Sequence, residues 1–212
     1  MKILKVLVAC EESQAVTKQF RLLGHEAYSC DILDCSGNNP EWHIKDDVLN
    51  HINNKWDLII AHPPCTYLCN AASRWLFPKG VLNQERYEKG LKAKEFFMKL
   101  YNAPTKRICV ENPTPSKIFE LPEYTQKVQP YQFGEPYSKG TLLWLKNLPK
   151  LKHTEVLTEY DYWCSNGYRR AKGEPVYGVT RSSKERSKTF QGIAKAMATQ
   201  WSKYIINEET SS

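Results

Sequence analysis

No stretch of the 212-residue chain approaches the roughly 20 consecutive apolar residues that a membrane-crossing helix requires, so no membrane span is expected. The opening Met1-Lys2-Ile3-Leu4-Lys5 lacks the architecture of a secretory signal, which points to a cytoplasmic protein. No C-x-x-C pair occurs among Cys10, Cys30, Cys35, Cys65, Cys69, Cys109 and Cys164, so no structural zinc site is expected and no metal is assigned. Seven scattered cysteines without a signal sequence read as reduced thiols rather than a disulfide framework. Neither an internal repeat nor a low-complexity linker is present. What remains is an ordinary globular composition, 41% hydrophobic and 25% charged, with a length that suits one core and a small satellite lobe. The formal charge of +7 is compatible with a polyanionic partner without demanding one.

Strands and helices alternate along the first half. Val6-Leu7-Val8-Ala9 is a short continuous apolar run, the pattern of a strand buried on both faces. Ser13 then reads as a helix N-cap, with Val16, Phe20 and Leu23 on one face and Gly24 as the stop. Ala27 to Ile32 predicts a second strand, ending in or beside Asp31, and Trp56 to Ala61 a further one, broken by His62-Pro63-Pro64. Asn83 to Tyr101 has helical periodicity at Tyr87, Leu91, Met98 and Tyr101, with Phe97 widening the stripe. Ile108-Cys109-Val110 is a short buried strand that ends at Glu111-Asn112-Pro113. Gln129 to Phe133 and Thr141 to Leu145 read as strands, and residues 151–188 as an irregular polar lobe. Phe190, Ile193, Ala194, Met197, Trp201 and Ile205 form the stripe of a closing helix, followed by a frayed tail from Asn207 to Ser212.

This alternation predicts an α/β fold with a parallel sheet covered by helices on both faces. Ligands in such sheets bind beyond the carboxyl ends of the strands. Those ends carry Cys10-Glu11-Glu12, Asp31, His62-Pro63-Pro64-Cys65 and Glu111-Asn112-Pro113, with Asp46-Asp47 in a loop between strands. Two prolines in succession end a strand abruptly and constrain how Cys65 emerges, which suits a nucleophile as well as it suits a strand-end turn with a buried thiol. Glu111 leaves another buried strand forty-six positions after Cys65. A thiol and a carboxylate at one sheet edge form a rarer combination than either alone.

These residues carry a resemblance. Pro64-Cys65 after one strand and Glu111-Asn112 after the next resemble the C5-cytosine DNA methyltransferases, and more closely a compact branch encoded by phages and prophages. The resemblance runs from Val6 to Trp201 in the same motif order. The segment from Gln191 to Met197 is similar to the family's C-terminal helix, which folds back beside the cofactor pocket.

The resemblance implies a Rossmann-like sheet that binds S-adenosylmethionine, with DNA as partner and no membrane. It implies that Cys65, as thiolate, adds to C6 of cytosine, and that Glu111 holds the ring through N3 and the exocyclic amine. The target base would be flipped out or already unpaired. For the cofactor it implies Asp31 on the ribose hydroxyls and Asp47, or its neighbour Asp46, near the adenine amine. Cys10, Glu11 and Ser13 would face the methionine end, and Pro63 would border the pocket. Departures are also visible. Cys10-Glu11-Glu12-Ser13 replaces a glycine-rich loop, Thr66 a Gln, Pro113 an aliphatic residue, and Lys139 the arginine expected beside Cys65 and Glu111.

The predicted organisation is a catalytic core over 1–150, a small basic recognition lobe over 151–188 and a returning helix over 189–206. Arg169, Arg170, Lys172, Arg181, Lys184, Arg186 and Lys188 stand against Glu174 and Glu185, a net +5 within twenty residues suited to phosphate contacts. Two rival readings remain open in the sequence. An amino-methyltransferase would act on a base nitrogen, but the Pro-Pro loop lacks the aromatic that such enzymes carry after the second proline. A non-catalytic binder of nucleic acid or S-adenosylmethionine is the other.

Overall fold

The computed structural model describes residues 2–164, 167–169 and 187–210. Ten strands lie among them: β1 Lys5–Ala9, β2 Glu26–Asp31, β3 His43–Lys45, β4 Leu58–Ala61, β5 Ile108–Asn112, β6 Gln126–Val128, β7 Tyr137–Ser138, β8 Thr141–Lys146, β9 Asp161–Cys164 and β10 Gly167–Arg169. Seven form one sheet in the order β3-β2-β1-β4-β5-β8-β6. The first five are parallel, while β8 runs antiparallel to both β5 and β6. Among the described residues, the α-helices used below are α1 Ala15–Leu22, α2 Ser73–Leu76, α3 Gln84–Tyr101 and α4 Gln191–Thr210.

Alternation along the buried strands divides the core into two layers. Val6, Val8, Leu58, Ile60 and Cys109 pack with Val16 and Phe20 of α1 and with Ile193, Met197, Trp201 and Ile205 of α4. Leu7, Ala9, Ile59, Ala61, Ile108 and Val110 pack on the opposite face with Phe97 and Leu100 of α3 and Trp144 of β8. Both faces are therefore covered, which is why these strands read as continuous apolar runs rather than as alternation. This is the Rossmann-like α/β architecture expected.

Several local features differ from the expectation. Ser13 does not cap α1. Gln14 precedes the helix in a left-handed conformation and makes no side-chain cap, and the buried Glu11 carboxylate takes that role instead. Gln129 to Phe133 is not a strand. Pro130 cannot donate to a ladder, so the strand stops at Val128 and residues 130–132 turn as 3-10 helix. Leu91 is 41% exposed, and Phe97 and Leu100 carry the buried face of α3 in its place.

The tail does not fray at Asn207, because α4 continues to Thr210. Arg107, 2% exposed, explains the extra turn: its guanidinium donates to Glu208 at 2.8 Å and to Glu209 at 3.3 Å. Lys2 adds a further ion pair with Glu209. The start of α4 is held as closely. A Cβ on Gly192 would lie 2.0 Å from the Phe133 carbonyl oxygen, so only glycine permits this approach of helix to backbone.

The segment expected to be irregular is partly ordered. Leu151 is buried in the core, Glu155 bridges to Phe133, and β9 pairs with β7 on one side and β10 on the other. The small sheet thus takes one strand, β7, from before residue 150.

Candidate active site at the strand ends

The order of the sheet reverses between β1 and β4, because the chain builds β2 and β3 on one side of β1 and then β4 and β5 on the other. A parallel sheet opens a crevice at that switch point, beyond the carboxyl ends. Cys10 and His62 are the first residues past those two ends.

The register of β4 with β5 sets Ala61 opposite Val110, so the next residues, His62 and Glu111, emerge side by side. His62 Nδ1 lies 3.1 Å from Glu111 Oε2, with the two side chains 11% and 17% exposed. The His62 backbone N–H donates to the Ala9 carbonyl at 2.9 Å, which ties the start of this loop to β1. Burial pushes the Glu111 carboxyl up, but the His62 hydrogen bond and charge outweigh it and hold the group below its ordinary range. Burial likewise works against His62 as a cation, yet Glu111 and the nearby Glu11 raise it above its ordinary value. The contact therefore favours an imidazolium beside a carboxylate over the two neutral groups. Sequence reasoning treated His62 only as part of the strand break, since the strand register that brings it to Glu111 is not written in either motif.

The loop that carries Cys65 is fastened to the segment after β5. Asn112 is buried, and its side-chain amide donates to the Pro63 carbonyl at 2.9 Å. Asn70 N–H donates to Thr114 O at 2.8 Å and Ser116 N–H to Leu68 O at 2.7 Å. From α3, Arg86 donates to Thr66 O at 2.8 Å and lies over the Tyr67 ring at 5.0 Å. Cys65 is thus held, half-buried, in a turn closed by the N–H groups of Leu68 and Cys69 on its own carbonyl.

Cys69 completes a thiol pair that the motif reading did not identify. The Cys65 thiol donates to the Cys69 sulfur, so Cys65 is raised well above its ordinary value. That donation, with help from the backbone N–H groups of Ala71 and Ala72, lowers Cys69 to about 6 against the opposing effect of burial. Of the two sulfurs, Cys69 is the one on which negative charge is favoured. Cys10, Cys30 and Cys109, by contrast, are pushed up by burial. Alkylation by iodoacetamide is accordingly expected to label the Cys65–Cys69 pair first, with a rate that rises through about pH 6 as Cys69 loses its proton. Peptide mass spectrometry across a pH series checks this. Equal labelling of Cys30 and Cys109 in the folded protein would contradict it.

The remaining expected residues fall in different places. The charge of Lys139, in the turn between β7 and β8, is felt by Cys65, Glu111 and His62, which sets it at the same site; its Nζ also lies 5.9 Å from the Phe190 ring. Glu11 accepts from Val16 N–H at 2.6 Å, Thr17 N–H at 3.2 Å and the Thr17 hydroxyl at 2.7 Å. It thereby fills the N-terminal end of α1. Ser13 is half-buried in the same loop, and Cys10 turns it in a left-handed conformation.

Asp31 ends β2 and accepts from Leu33 N–H at 2.9 Å, with exposed Ile32 and Leu33 beside it. Asp47 is exposed and caps the turn over Val48–Asn50, while Asp46 is bound to His51 and Asn50. Cys10 feels the charges of both Asp31 and Asp47, so these carboxylates converge near the first loop. Pro63 is buried in the loop that carries Cys65. Of the basic set, Lys188 is exposed and Arg169 contributes its backbone to β10. Arg170, Lys172, Arg181, Lys184 and Arg186 lie outside the described residues.

A further feature follows the Cys65 loop. Trp75, Phe77, Val81 and Leu82 are exposed between that loop and α3, with Arg74 over the Trp75 ring at 5.1 Å. Their signal in the sequence was an apolar stretch without the period of a buried element.

No family model matches the chain, and no curated protein matches it. Solved structures do. The S. pombe Dnmt2 methyltransferase aligns at 15% identity with a TM-score of 0.40, over 70% of this chain and 51% of its own. The Entamoeba histolytica methyltransferase EhMeth aligns at 15% identity with a TM-score of 0.45, over 74% of this chain and 58% of its own. The chain thus spans between half and three-fifths of the solved chains it resembles, and at this identity the likeness is one of fold. No described helix is long and apolar enough to cross a membrane.

Proposed function

We propose that this protein is an S-adenosylmethionine-dependent methyltransferase that places a methyl group on C5 of cytosine in DNA through a covalent Cys65 adduct. The observation that carries the reading is the convergence of the Cys65 turn and Glu111 on one edge of the sheet, fastened by the Asn112 amide to Pro63 and by the His62 contact. Cys65, relieved of its proton, adds through sulfur to C6 of the cytosine ring. Glu111 meets the N3 side of the ring, where charge develops on addition, and Lys139 adds a cation to the same region.

The cofactor would supply an electrophilic methyl group. The nucleoside half of the crevice fits it: Asp31 can accept ribose hydroxyls, Asp47 can meet the adenine amine, and exposed Ile32 offers an apolar flank. The methionine half would meet an acidic loop. Glu11 already satisfies the α1 end, so Cys10 and Ser13 border that half while its amino group, rather than its carboxylate, suits the acidic loop. Arg169, Arg170, Lys172, Arg181, Lys184, Arg186 and Lys188 would serve the phosphates of the nucleic acid. Cytoplasmic location and phage origin belong to the same reading.

Incubation with methyl-labelled S-adenosylmethionine and duplex or single-stranded DNA, with an RNA arm, tests the reading by nucleoside mass spectrometry. Labelled 5-methylcytosine in DNA is expected. Label on the N4 of cytosine or N6 of adenine would overturn it in favour of a base-nitrogen methyltransferase. No transfer, with nucleic acid still bound, would leave a binding protein.

A further inference from the structure

His62 is the group in this site that the proposed reaction leaves unassigned. It sits inside the Pro63-Pro64-Cys65 loop, its backbone is tied to Ala9, and its ring meets Glu111 at 3.1 Å through Nδ1. Its other nitrogen, Nε2, is closed off from solvent and has no hydrogen-bond partner among the described residues. A ring so placed has little freedom to seek another partner, and every charged group that acts on it belongs to the site. Glu111 reaches it from β5, Glu11 from the loop after β1, and Lys139 from the turn before β8. The Cys65–Cys69 pair lies on its own loop.

Resting on the proposed reaction, we infer that His62 is a positioning residue that acts through Glu111: it orients the carboxyl group toward the ring and keeps in the pair the proton that N3 requires. When the Cys65 sulfur forms its bond to C6, the electron pair displaced from the C5–C6 double bond moves toward N3. Glu111 takes the proton from His62 Nδ1 and passes it to N3, which leaves a neutral imidazole beside a carboxylate. After C5 has taken the methyl group, water removes the C5 proton. The electrons of that C–H bond reform the C5–C6 double bond, and Cys65 leaves as thiolate. The N3 proton then returns through Glu111 to His62, so the pair ends as it began and one proton is released to solvent.

The two glutamates hold the His62 proton to higher pH than an isolated imidazole would, whereas Lys139 opposes them. Activity therefore has an alkaline limit where the pair loses its proton. In His62→Gln the hydrogen bond to Glu111 can be kept, but the proton must reside on Glu111 alone. The alkaline limb should then move down by about one pH unit or more, with a fall in kcat of roughly 10- to 100-fold. His62→Phe removes the hydrogen bond as well and should be slower still. The measurements are pH–rate profiles of methyl transfer to cytosine DNA, together with the carbon-13 titration of the Glu111 carboxyl in wild type and His62→Gln.

A downward shift of the alkaline limb, with Glu111 titrating at higher pH in the variant, is the expected result. Wild-type transfer with an unchanged limb in His62→Gln would overturn the role of His62 while leaving the proposed reaction standing. Wild-type protein that methylates no cytosine would overturn both, even if the titration of Glu111 still moves.

Discussion

Replacing Cys65 with serine is expected to abolish the covalent complex with DNA containing 5-fluorocytosine and to lower methyl transfer by about 10⁴-fold or more. The fluorine at C5 cannot leave as a cation, so a true nucleophile is trapped on C6 after methyl transfer. A hydroxyl at the same place ionises several pH units above a thiol and gains nothing from Cys69. Cys69→Ser provides the contrast. It removes the partner that shares the proton with Cys65 but leaves the attacking sulfur, so it should slow adduct formation and still permit it. Denaturing electrophoresis of the shifted complex reads both variants. A full-strength trap in Cys65→Ser that disappears in Cys69→Ser would transfer the nucleophilic role to Cys69.

This contrast matters because sequence and structure disagree about how much of the thiol chemistry one residue carries. Pro63-Pro64 singled out Cys65 through the abrupt end of a strand. The meeting of Cys65 with Cys69 depends on a turn that returns Leu68 and Cys69 N–H groups to the Cys65 carbonyl, and nothing in the residue types of Thr66, Tyr67 and Leu68 dictates that turn. His62 was hidden for a related reason. Its nearness to Glu111 follows from the parallel register of β4 and β5, which sequence cannot fix because both strands are buried on two faces and apolar throughout.

The strands themselves were legible for that same uniformity: Val6 to Ala9, Leu58 to Ala61 and Ile108 to Val110 each read as continuous apolar runs and each became a central strand. β3 was not legible. His43, Ile44 and Lys45 lie at the sheet edge with two half-buried side chains and one exposed, so no apolar run marks them. The cap of α1 failed on a similar ambiguity. Ser13 has the right chemistry, but the chain reaches the helix through a left-handed Gln14, and the longer Glu11 side chain spans the gap to Val16 and Thr17.

Trp201→Ala is expected to cost about 3–5 kcal/mol of folding stability, the range for removing a fully buried indole. The residue is completely buried on the α1 side of the sheet, and its Nε1–H donates to the Pro149 carbonyl at 3.0 Å. Truncation would therefore open a cavity between α4 and the sheet and leave that carbonyl without its donor. For a chain of this length the melting temperature should fall by roughly 10 °C. Leu91→Ala on α3 supplies the control, because its side chain is substantially exposed and its loss should change stability by no more than about 0.5 kcal/mol. The functional consequence is graded by distance from the strand ends. α4 begins where Gly192 N–H donates to Glu135 and where Phe190 meets Tyr137 and Lys139, so a helix loosened at Trp201 should also blur the position of Lys139. Methyl transfer measured well below the lowered melting temperature should thus fall in Trp201→Ala, whereas Leu91→Ala should retain the wild-type rate. If Trp201→Ala melts like wild type, α4 is not the part of the core that its buried stripe makes it.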